Sequence, residues 1–74
     1  MTLSQYLVEA SERYQDWRER GNANIAQRYW VSAQQHLQLH WPGAYDPHWN
    51  HQDRKIELRF RTSAAMTWFW LQHL

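Results

Sequence analysis

A chain of 74 residues without a single cysteine has neither disulfide nor thiolate-bound metal to hold it together, so packing alone must supply its stability. At this length a hydrophobic core is close to the minimum that folds unaided, which leaves room for one domain spanning 1–74 and no more. The material for that core is unusual. Mean hydropathy is −0.92, yet six Trp, four Tyr and two Phe are present. Each buried ring hides about 150–250 Å², while so small a domain buries only roughly 60% of its unfolded surface. Some rings are therefore expected outside, and Trp and Tyr are the residues that concentrate at the energetic centres of interfaces.

Periodicity sets the elements. Leu3, Leu7, Ala10, Tyr14 and Trp17 recur at steps of four and three, predicting a helix over about 2–20. Thr2 with Gln5 offers a capping box, and Gly21 offers the C-terminal stop. Gly21-Asn22-Ala23-Asn24 is a turn too short for anything but a fold-back. A second helix over about 24–40 then buries Ala26, Trp30, Ala33 and Leu37 and must end by Trp41, because Pro42 disfavours helical geometry before it. Both prolines and two aromatics, Tyr45 and Trp49, fall in the stretch 42–54, which reads as a long loop or a loop enclosing a short extended piece. The segment 55–61, Lys-Ile-Glu-Leu-Arg-Phe-Arg, alternates charged and apolar residues and predicts a strand. A last helix over 63–73 is apolar nearly all round. The expected class is α+β, ordered α-α-(β)-β-α: an N-terminal αα-hairpin, a short antiparallel β element of two strands, and an aromatic C-terminal helix.

A strand cannot stand alone, because unpaired backbone groups are costly when buried and invite pairing when exposed. The partner strand is sought near His36 to Trp41, near Ala44 to Trp49, or in a second copy of the chain. In the last case Ile56, Leu58 and Phe60 would form a dimer edge, and a homodimer is the expected assembly.

Four features bear on function. Tyr45, His48, Trp49, Trp68 and Trp70 are the expected anchors for another protein. Arg54, Lys55, Arg59 and Arg61 lie on or beside the strand and could contact the phosphates of single-stranded nucleic acid. His36, His40, His48 and His51 have spacing that resembles a metal site, with zinc as the ion, although zinc of structural type favours thiolates and none exist. A formal charge of +1 gives no general pull toward nucleic acid or anionic membrane.

No Gly-rich phosphate loop, G-x-S-x-G or H-E-x-x-H occurs, and there is no cysteine nucleophile, so no catalytic residues and no cofactor are expected. No secretory leader or membrane-spanning run is visible, which points to the cytoplasm. The function expected is a small non-catalytic module that binds a protein partner as inhibitor or adaptor. Chains of this size are often phage or mobile-element products that block a host machine, including a defence system; size alone suggests that origin here. A small nucleic-acid-binding regulator using the basic strand face is the alternative, and a His-rich metal-binding protein a second one.

Overall fold

The computed structural model describes residues 1–73. Its elements run α1 (Leu3–Glu19), α2 (Ala23–His40), β1 (Asp46–Asn50), β2 (Lys55–Arg59) and α3 (Ser63–Gln72). The fold is α+β with the element order read from the sequence.

Helix α1 starts on the capping box: Gln5 N–H donates to Thr2 Oγ1 at 3.1 Å and Thr2 N–H donates to Gln5 Oε1 at 2.9 Å. Gly21, at φ 73°, turns the chain back, and Asn22 caps α2 through Ile25 N–H. The two helices meet along the expected stripes, with Leu3, Ala10, Ala26, Ala33 and Leu37 all buried. Helix α2 runs to His40. Trp41 then leaves helical geometry at φ −132° and ψ 69°, as a residue before proline must.

The strand partner lies inside 42–54, which is therefore not a plain loop. Strand β1 pairs antiparallel with β2 in the register Asp46↔Arg59, Pro47↔Leu58, His48↔Glu57, Trp49↔Ile56 and Asn50↔Lys55. Strand β2 ends at Arg59, so Phe60 and Arg61 fall outside the predicted 55–61 span. Ile56 N–H donates to Ser11 Oγ at 2.9 Å, so it points away from β1. By the alternation of antiparallel ladders, Trp49↔Ile56 and Pro47↔Leu58 are then the non-hydrogen-bonded pairs. Pro47 thus sits where a strand needs no N–H toward its neighbour, and it removes a donor from the outer margin of β1. The turn 51–54 closes with Arg54 in the left-handed region at φ 53°.

This register sends Pro47, Trp49, Ile56 and Leu58 to one face and Asp46, His48, Asn50, Lys55, Glu57 and Arg59 to the other. The first face packs on α1. Leu3, Leu37 and Phe69 make the central cluster, with Tyr6, Leu7, Trp41, Tyr45, Leu58, Phe60 and Trp70 against it. Helix α3 enters that cluster with Phe69 alone fully buried. His73 Nε2–H donates to the Pro42 carbonyl at 3.1 Å, tying the end of α3 to the α2–β1 connection.

Candidate functional site

Most of the rings turn inward. Tyr45, expected as an anchor, packs edge-on against Phe69, with ring centroids 4.9 Å apart, and faces Phe60 at 6.2 Å. Its hydroxyl is buried and finds no hydrogen-bond partner among the described residues. Burial pushes the phenol up to about 12. Trp49 lies edge-on to Tyr14 at 4.8 Å, in a cluster that includes Trp30. Trp70 is half-buried, perpendicular to Phe69, and walls a groove of about 550 Å³ between α1 and β2 together with Leu7, Val8, Ile56 and Leu58. His48 faces the wet side of the hairpin, where its Nε2 lies 3.4 Å from Glu57 Oε2.

Trp68 behaves differently. It is 65% exposed, and Leu71, three residues on, is 63% exposed. At 100° per residue, Ala64, Trp68 and Leu71 fall within about 60° of one another, on the side of α3 opposite Phe69. They occupy positions i, i+4 and i+7. No residue of α3 carries a charge, so this stripe has no ionic rim of its own. The helix begins on a well-formed cap, with Ala65 N–H donating to Thr62 Oγ1 at 3.1 Å. It is therefore a properly terminated helix whose solvent side is as apolar as its core side.

The basic residues do not form one track. Arg54 lines a notch at the turn end of the hairpin with His51 and Trp49. Lys55 borders the α1–β2 groove. Arg59 and Arg61 line a cleft at the other end with Tyr45, Asp46 and Phe60. Between them Glu57 is occupied: Asn50 Nδ2 donates to its Oε1 at 2.7 Å. That bond, aided by His48 and Lys55 against a smaller desolvation effect, holds the Glu57 carboxyl below its ordinary range.

The histidines separate into two places. His36 stacks on Tyr6 with centroids 4.4 Å apart and lies 4.2 Å from His40. His48 and His51 belong to the hairpin and its turn. Among the described residues no group of three or more His, Asp or Glu is placed to hold a metal ion.

The expected dimer edge divides as well. Ile56 is 4% exposed and its outward N–H is taken by Ser11, whose own hydroxyl donates to the Leu7 carbonyl. Phe60 belongs to the core cluster. Only Leu58 keeps an outward-facing backbone position in the ladder. Ser11 is the one buried polar residue among those described, and it couples α1 to β2. Sequence reasoning missed it, because a serine inside a helix carries no sign of a distant partner; its place beside Ala10 on the buried side was the only available signal.

No family model, curated protein or solved structure matches the chain. No helix among the described residues is long and apolar enough to cross a membrane.

Proposed function

We propose that this protein is a non-catalytic binding module, an inhibitor or adaptor, that docks α3 into an apolar groove of another protein. The observation that carries the reading is the outward Ala64–Trp68–Leu71 stripe. Helices recognised by grooves present anchors at i, i+4 and i+7 spacing, and Trp is among the residues enriched at interface hot spots.

The length and the charge of α3 favour a groove over other cover. Ten residues make about 15 Å of helix, too short for a flat contact to reach about 800 Å² per partner. A groove wraps the helix and recovers the difference. Helices that lie on membranes carry a charged face and a large amphipathic contrast; α3 has neither charge nor contrast.

The test is a pull-down from the native host with the wild-type chain and a Trp68→Ala, Leu71→Ala double variant. A partner held by the wild type and lost by the variant supports the reading. Loss of affinity should be on the order of 30-fold or more, with unfolding free energy unchanged to within about 0.5 kcal/mol, as for other exposed substitutions. Arg59→Ala with Arg61→Ala should leave that binding intact. If the arginine pair rather than the α3 pair abolishes binding, and the complex weakens steeply with salt, the nucleic-acid reading replaces this one.

A further inference from the structure

We propose that the notch between the last turns of α1 and the hairpin turn is a binding site for a dianionic oxyanion, the phosphate of a phosphomonoester. It is formed by Gln15, Arg18 and Glu19 from α1 and by Trp49, His51 and Arg54 from the hairpin, around a space of about 240 Å³.

Two arginines line this space from different elements. On α1, Arg13 and Arg20 are spent on ion pairs with Glu9 at 3.0 Å and Asp16 at 3.1 Å. Arg18 and Arg54 form no ion pair among the described residues. Arg18 is steadied over the Tyr14 ring, 5.7 Å from its centroid, as a cation over an aromatic face. Arg54 is held at φ 53°, the only non-glycine residue described with positive φ. Residues in that conformation recur at ligand sites, and Arg54 lines the notch from the hairpin turn. His51 adds an imidazole ring to the same wall.

The single acid in the wall is Glu19, whose Oε1 already accepts from Gln15 Nε2 at 3.0 Å. Arg18 and Arg54 against this one carboxylate leave the wall an excess of positive charge. Two planar forks supply more donors than a carboxylate can accept, and they suit the several oxygens of a phosphate. The volume is below the roughly 300 Å³ at which pockets enclose whole ligands. It fits the phosphate group, with the remainder of the ester lying over Trp49.

The experiment is an NMR titration of the full chain with orthophosphate, phenyl phosphate and, at matched ionic strength, chloride. Orthophosphate should move the Trp49 indole and Arg54 amide signals saturably, and phenyl phosphate should bind more tightly, because its ring meets Trp49. Arg18→Ala and Arg54→Gly should each weaken binding on the order of tenfold, and Glu19→Gln should tighten it. Arg54→Gly keeps the test sound, since glycine accepts the left-handed backbone without strain. Shifts reproduced by chloride, binding that survives both arginine replacements, or a phenyl ester weaker than orthophosphate would overturn the proposal.

Discussion

Replacing Tyr45 by Phe should make this protein more stable. The Tyr45 ring contacts the core through Phe69 and Phe60, and those contacts survive in phenylalanine. What disappears is a buried hydroxyl with no partner among the described residues. Taking a hydroxyl from water into a site that returns no hydrogen bond costs about 1–3 kcal/mol in proteins. Tyr45→Phe should therefore raise the unfolding free energy by about 1–2 kcal/mol. For a domain of this size each kcal/mol moves Tm by roughly 4–8 °C.

The same site governs the alkaline limb. The folded phenol titrates at about 12 against an ordinary 10.0, so the unfolded chain loses this proton first. Stability is therefore unaffected by this proton below pH 10.0 and falls as pH rises from there through about 12. Urea unfolding at neutral pH, repeated at stepwise higher pH, reads both effects, and the variant should lose stability less steeply above pH 10.0. A variant that is less stable than wild type at neutral pH by about 1 kcal/mol, the net worth of a typical hydrogen bond, would show that the hydroxyl is satisfied and would refute the reasoning.

Three further outcomes follow from the geometry. Ser11→Ala strands the buried Ile56 amide and should cost about 1–3 kcal/mol by denaturant unfolding; a neutral result would mean that α1 and β2 are held by apolar contact alone. Gly43→Ala places a methyl 2.7 Å from Phe69 Cδ2 and 3.1 Å from Cε2, so it should destabilise by about 1–3 kcal/mol, visible as a lowered Tm. Asn50→Ala removes the main cause of the low Glu57 pKa, and Glu57 should titrate higher by carboxyl NMR. Because that pKa is lowered from 4.5, the Glu57 contribution is present above 4.5 and fades as pH falls through the folded value; the variant should show less of this acid-side loss.

The helices were legible because their signals are local. The stripe from Leu3 to Trp17, the Thr2–Gln5 box and the Gly21 stop all act within a few residues, and each appears in the structure. Strand β2 was legible for the same reason. Strand β1 was obscured by Pro47, which argues against a strand unless its place in the ladder is known; at a non-hydrogen-bonded position the missing donor costs nothing. The site was less readable still. Tyr45 lies among turn residues and Trp68 in an apolar run, and nothing local says that the first fills the space beside Gly43 while the second faces water. That distinction depends on how α3 rolls against the hairpin, which Phe69 and the His73–Pro42 bond decide. Ser11 is the extreme case, since its partner lies 45 residues away.

The two margins of the hairpin are stopped by different devices, an imino acid on one strand and a borrowed hydroxyl on the other. Each breaks the run of open rungs along its margin, so a chain that zipped on there would gain fewer bonds than a plain edge offers. The fewer rungs the backbone offers, the larger the share of any recognition that falls to the side chains.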